Sequence, residues 1–77
     1  MRLPPLRSKD VIKVLKKLGY IEKRQTGSHK IFLNPLKKKI ITVPIHNKDL
    51  KVGLIRAIIR ELEITKNEFL KLLKKIK

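Results

Sequence analysis

The spacing of hydrophobic residues changes along the chain, and each change marks an element. From Ser8 to Leu18 the apolar positions follow helical spacing. Val11, Ile12, Leu15 and Leu18 share one face, and Lys9, Lys13, Lys16 and Lys17 fill most of the rest. Ser8 is placed to cap this helix, and Asp10 stands in the first turn, where the helix dipole favours an anion. Gly19 sits where a left-handed C-terminal residue is expected. Pro4 and Pro5 bar a helix interior from the lead-in. Strand-like segments come next. Tyr20 to Gln25 reads as a polar strand and Ser28 to Leu33 as a second. Lys39 to Val43, with the β-branched run Ile40-Ile41-Thr42-Val43, reads as a third. Turns are expected at Thr26-Gly27 and from Asn34-Pro35 through Lys37 and Lys38. Pro44 ends the third strand because proline cannot donate to the ladder.

Helical spacing returns after Asp49, which is placed to cap a helix from Leu50 to Leu62. Leu50, Leu54, Ile55, Ile58, Ile59 and Leu62 form its broad apolar stripe. Gly53 inside that helix costs about 1 kcal/mol relative to alanine, which points to close packing there. Thr65-Lys66-Asn67-Glu68 is a capping box that opens a short third helix. Phe69, Leu72, Leu73 and Ile76 are its apolar side, and Lys71, Lys74, Lys75 and Lys77 its polar side. The order predicts an α+β two-layer sandwich, α-β-β-β-α with a short extra C-terminal helix. That is the layout of a double-stranded-RNA-binding domain, which reads A-form RNA by shape. The 77 residues are expected to form a single domain, 1–77, with a modest core.

Charge narrows the class of partner. The chain carries 21 Lys and Arg against 6 Asp and Glu, a formal net charge of +15. Such a surplus predicts attraction to a polyanion, and for so small a chain it favours nucleic acid over a merely solvated surface or an acidic protein. With no cysteine, disulfides and thiolate metal sites are excluded. The N-terminus lacks the apolar run of a signal peptide, and no stretch approaches the roughly 20 apolar residues of a membrane span. The expected location is the cytoplasm, with no membrane partner.

The candidate chemistry lies in Arg24-Gln25-Thr26-Gly27-Ser28-His29-Lys30-Ile31-Phe32, a strand, a tight turn and a second strand. Gly27 can take the positive φ that a short hairpin demands. A histidine can both take and give a proton near neutral pH. His29 is therefore the candidate catalytic group, with Lys23, Arg24 and Lys30 around it as fixed positive charge. Lys30 points away from His29 in a regular strand, so Lys23 and Arg24 are the better electrostatic partners. Ser28 can hydrogen-bond a phosphate oxygen, and the Gly27 backbone can approach RNA closely. Lys37, Lys38 and Lys39 read as a contact to the RNA backbone rather than a merely solvated turn, and His46 equally as a phosphate ligand or second acid–base group and as a loop histidine that shapes Pro44-Ile45-His46. The bland alternative is a locally bonded hairpin histidine. His29 shares its phase with Ile31 and Leu33, which in that case sets it at the rim of the helix-facing side. Two histidines without cysteine are too few for a zinc site, and the acids are not clustered as a magnesium site requires, so no metal and no other cofactor is expected.

The residues also carry a family likeness. Leu18-Gly19-Tyr20, Gln25-Thr26-Gly27-Ser28-His29, Thr42-Val43-Pro44-Ile45-His46 and Gly53-Leu54-Ile55-Arg56-Ala57-Ile58-Ile59-Arg60 occur in order. With these landmarks the chain, from about Leu6 to about Leu73, resembles the HicA (YcfA-like) toxins. The resemblance implies a double-stranded-RNA-binding-domain-like fold and a ribosome-independent mRNA endonuclease of a toxin–antitoxin module. It also implies a HicB-type antitoxin that covers the active site, and it carries the family's catalytic histidine over to His29. Tyr20 stands where the family often has phenylalanine. The leading expectation is a metal-independent endoribonuclease. The alternative is a non-catalytic RNA-binding module of the same fold. A DNA-binding protein is disfavoured, because the second helix offers few polar side chains to read base edges. Part of the Phe69, Leu72, Leu73, Ile76 stripe is open to an antitoxin or to a second copy of the chain.

Overall fold

The amphipathic segments fold as their spacing requires. In the computed structural model, residues 5–45 and 48–75 are described. They form α1 (Ser8–Lys17), β1 (Ile21–Thr26), β2 (His29–Asn34), β3 (Lys39–Pro44), α2 (Val52–Leu62) and α3 (Lys66–Lys75). The three strands make one antiparallel sheet in the order β1-β2-β3, so β1 and β3 are its edges. Helices pack on one face of the sheet, and α3 lies against both α1 and α2. This is the α+β sandwich of a double-stranded-RNA-binding domain.

The core joins one face of each element. Val11, Val14 and Leu15 come from α1, Phe32 from β2, Ile41 and Val43 from β3, Ile55, Ile58, Ile59 and Leu62 from α2, and Phe69 and Leu73 from α3. Phe32, Val11, Val14, Val43 and Phe69 are fully enclosed. Val14, absent from the expected stripe of α1, is one of its most buried residues.

Three positions differ from expectation. Ser8 does not cap α1 but lies inside its first turn, buried, and its hydroxyl donates to the Pro44 carbonyl oxygen at 2.6 Å. The cap position belongs to Arg7, whose N–H donates to the Asp10 carboxylate at 3.0 Å. Asp49 does not cap α2. The Leu50 N–H donates to the Leu6 carbonyl oxygen at 2.7 Å, which holds this stretch extended and delays the helix to Val52. Asp49 instead faces Arg7 across 3.7 Å at the surface. Gly53 is exposed, and a Cβ there would meet nothing within 4 Å, so close packing is not its role. The Thr65 box forms as read: Glu68 N–H donates to Thr65 Oγ1 at 3.1 Å, and Thr65 N–H to Glu68 Oε1 at 3.2 Å.

The strand faces are set by packing. Phe32, Ile41 and Val43 point to the helices, so their neighbours His29, Ile31 and Leu33 lie on the open face. His29 is thus exposed on the uncovered side, not at the rim of the helix-facing side. Ile31-Phe32-Leu33 and Ile40-Ile41 are consecutive apolar runs, in which alternation does not mark a face. Phenylalanine, the largest, takes the core side because it removes the most apolar surface from water. Every residue of β1 is exposed on both faces, so the β1–β2 hairpin projects beyond the helices.

Replacing Ser8 with alanine should strand the Pro44 carbonyl without its donor. The expected loss is about 1–3 kcal/mol of unfolding free energy. Urea denaturation at equilibrium measures it, and an unchanged midpoint would show that water replaces the hydroxyl there.

Candidate functional site

The turn that presents His29 is built from Gly27 and Ser28. Thr26 and His29 pair across it. Gly27 adopts φ 58°, a left-handed conformation that costs other residues about 1–2 kcal/mol. The Gln25 side-chain amide donates to the Gly27 carbonyl oxygen at 3.1 Å. The Ile45 N–H donates to the Ser28 carbonyl oxygen at 2.6 Å, which ties the turn to the end of β3. That end is itself held by Ser8 through Pro44. The imidazole therefore stands on a short turn anchored to the helical layer through two hydrogen bonds.

On the open face the ladder sets residues in rows. Thr26, His29 and Pro44 make the first row, Arg24, Ile31 and Thr42 the second, and Ile21, Leu33 and Ile40 the third. Arg24 belongs to this face because of a bulge. The register shifts between Glu22 and Arg24, leaving Lys23 as the extra residue. Without the bulge, Lys23 and Gln25 would stand opposite Ile31 and His29. With it, Arg24 sits diagonally across from His29, about 7–8 Å away by ladder geometry and within reach of a long side chain. Of the two cations favoured from sequence, Arg24 is the one that shares the histidine's face. Thr26 and Thr42 flank the site as well. Their hydroxyls carry no signal in the sequence, because only the register reveals them.

The other candidate residues fall elsewhere. Gly27 and Ser28 are exposed in the turn. Lys30 lies on the helix-facing side, paired with Glu22 at 3.3 Å. Lys37 and Lys38 are exposed in the β2–β3 turn. That turn lies at the far end of β2, about 17 Å along the strand from His29. Lys39 is half-buried, its ammonium 2.8 Å from the Glu63 carboxylate and donating to the Glu61 carbonyl oxygen at 3.0 Å. It thereby closes the C-terminus of α2, where Glu63 takes a left-handed φ of 58°. A shallow groove of about 290 Å³ runs beside it, lined by Lys39, Ile40, Ile41, Arg60, Glu61 and Glu63, without His29. His46 lies outside the described residues, as does Ile76.

Two groups near Lys39 are shifted from their ordinary values. Hydrogen bonding from Lys39, and then its charge, hold the Glu63 carboxyl below its ordinary value. Burial is the main cause that raises the Tyr20 phenol, partly offset by Lys39. Among the described residues, no three His, Asp or Glu side chains converge on a point. None of the described helices is long and apolar enough to cross a membrane.

A family model described as HicA toxin of bacterial toxin–antitoxin matches residues 8–64. No curated protein matches the chain.

The Lys39–Glu63 pair yields a pH prediction. A carboxyl whose folded-state pKa is lowered adds stability above its unfolded value of 4.5 and loses it as pH falls through the folded value. Glu63→Gln should therefore melt below the parent at neutral pH, with the gap closing in acid. Thermal melts across that range test it, and a gap independent of pH would remove the ionic explanation.

Proposed function

This chain belongs to the HicA toxin family of bacterial toxin–antitoxin systems, and from that premise we propose that it is a metal-independent endoribonuclease acting on mRNA, with His29 as its acid–base group. The observation that carries the reading is where His29 stands: exposed, on the uncovered sheet face, with Arg24 diagonally across. RNA brings its own nucleophile. His29 accepts the proton of a 2′-hydroxyl, and that oxygen attacks the adjacent phosphorus. The new O2′–P bond forms as the P–O5′ bond breaks, and the departing 5′-oxygen takes a proton from the imidazolium, directly or through water. A 2′,3′-cyclic phosphate and a 5′-hydroxyl result. Acid–base help of this kind contributes roughly 10²–10⁴-fold.

Arg24 is suited to the charge that develops on phosphorus, because a guanidinium can bind two phosphate oxygens at once. The exposed Gly27-Ser28 turn lets backbone and hydroxyl approach the same phosphate. Lys23, pushed out by the bulge, adds charge at the near end, and Lys37 and Lys38 meet an RNA that runs along the sheet. Lys30 and Lys39 are engaged by Glu22 and Glu63, and they contribute field rather than direct contact. The metal-free reading is supported by the state of the carboxylates. Asp10 and Glu68 cap helices, Glu22, Asp49 and Glu63 are in ion pairs, and the sixth acid, Glu61, is exposed and belongs to no cluster of three His, Asp or Glu among the described residues.

The partner proposed for control is a HicB-type antitoxin in the cytoplasm, docked on the open sheet face. Ile21 and Ile40 are 56% and 62% exposed there, beside half-buried Ile31 and Leu33. An apolar patch of this kind marks an interaction surface, and a protein seated on it would cover His29.

Cleavage of RNA in EDTA, compared between the parent and His29→Ala with both affinities recorded, tests the reading. The expected result is a fall of roughly 10²-fold or more with binding retained. Binding without cleavage by the parent would replace the enzyme with an RNA-binding module, and undiminished cleavage by the variant would move the chemistry off His29.

A further inference from the structure

Most of the cationic charge does not lie near His29. On α1, Lys9, Lys13 and Lys16 fall on the arc opposite Val11, Val14 and Leu15, with Lys17 beside them, and all four are exposed. On α3, Lys71 and Lys74 lie opposite Phe69 and Leu73, with Lys75 beside them, and all three are exposed. The two helices are neighbours and both sets of lysines face away from the core, and together they are called the ridge. The acids on these helices are Asp10 and Glu68, and both are committed to caps in the first turn. No described carboxylate lies within 4 Å of a ridge lysine.

From this we infer that the outer faces of α1 and α3 form a second RNA-backbone site, on the opposite side of the molecule from His29. The inference rests on RNA as the partner proposed above, but not on catalysis.

Three considerations select this occupant. First, the ridge exceeds what the fold requires: Lys16, Lys17, Lys74 and Lys75 stand in last turns where the helix dipole favours a cation, but Lys9, Lys13 and Lys71 have no such role. Its lysines repeat at three- and four-residue spacing, where like charges oppose helix formation. Second, the ridge has no exposed apolar or aromatic residue at its centre, which a protein partner would use as an anchor. Third, lysine is a flexible point charge suited to phosphates read without regard to sequence. The arrangement separates holding from cutting. The ridge retains a long RNA through counterion release, while the sheet face samples its phosphates. A strand held on both sides must pass around the molecule, whose shortest dimension is 22 Å, so long RNA gains more than short. A partner seated on the sheet would leave the ridge accessible.

The test uses the full chain with His29→Ala, so that RNA survives the measurement. Lys13, Lys16, Lys71 and Lys74 are changed together to glutamine. An equal-charge control changes Lys48, Lys51, Arg56 and Arg60, all exposed, to glutamine. Affinity for a short and a long single-stranded RNA is measured against salt. The ridge variant should bind long RNA roughly tenfold or more weakly at low salt, and its log–log salt slope should flatten by about 0.7 for each phosphate that is no longer neutralised. It should melt close to the parent, because the relief of like-charge pairs and the loss of the last-turn cations Lys16 and Lys74 oppose each other. The control should stay close to the parent. Equal losses in both variants would reduce the effect to net charge and overturn the ridge, while RNA as partner would stand. No RNA affinity in the parent would overturn ridge and partner together. A ridge variant with full RNA affinity that no longer binds phosphatidylserine vesicles would assign the surface to membranes instead. A ridge effect found in a chain whose wild type cuts no RNA would uphold the ridge and sink the nuclease.

Discussion

The end of β3 is the constraint on which the rest of the site depends. Pro44 cannot donate to the ladder, so the strand ends there and the chain leaves the sheet. Two hydrogen bonds of 2.6 Å then hold that exit, from Ser8 Oγ to Pro44 O and from Ile45 N–H to Ser28 O. The first reaches the buried start of α1, and the second the turn that carries His29. The turn end of the β1–β2 hairpin has little burial of its own, since all of β1 and His29 are exposed. Without these two links its turn would be positioned by ladder bonds alone. The acid–base role proposed for His29 needs a firmer mount than a free hairpin offers.

The bulge at Lys23 is the second device, and it acts on direction rather than position. A strand alternates its faces strictly, so one inserted residue exchanges every side chain beyond it between faces. Here it carries Arg24 and Thr26 to the face of His29 and turns Gln25 away. The cation nearest the histidine is thus fixed by backbone register.

This separates what the amino acids reveal on their own from what they do not. Local signals were legible. Gly19 and Gly27 take positive φ where a helix end and a tight turn require it, and the Thr65 box bonds as its spacing demands. The element order and the helix stripes followed from periodicity. Long-range choices were hidden. The face of Phe32 is decided by what packs against it, because its neighbours Ile31 and Leu33 are also apolar. The role of Ser8 depends on Pro44, 36 residues away. The delayed start of α2 depends on Leu6 meeting Leu50. Lys39 belongs by sequence to a basic turn, yet the fold sets it against Glu63 at the end of α2.

The sheet's open face also explains why its two ends differ. The row of Ile21, Leu33 and Ile40 is apolar, whereas the row of Thr26, His29 and Pro44 carries the polar chemistry. A polyanion gains nothing from the apolar row, and a protein partner gains much of its burial there. A partner anchored on the apolar end and extending toward the hairpin would shield the histidine without having to match the phosphate chemistry around it. An RNA would favour the other end, where Arg24 and the turn provide charge and backbone access. Inhibition and substrate binding then compete for one face while drawing on different interactions. In the proposed mechanism this lets an antitoxin bind tightly by hydrophobic contact, and leaves the acid–base site free to be shaped for RNA alone.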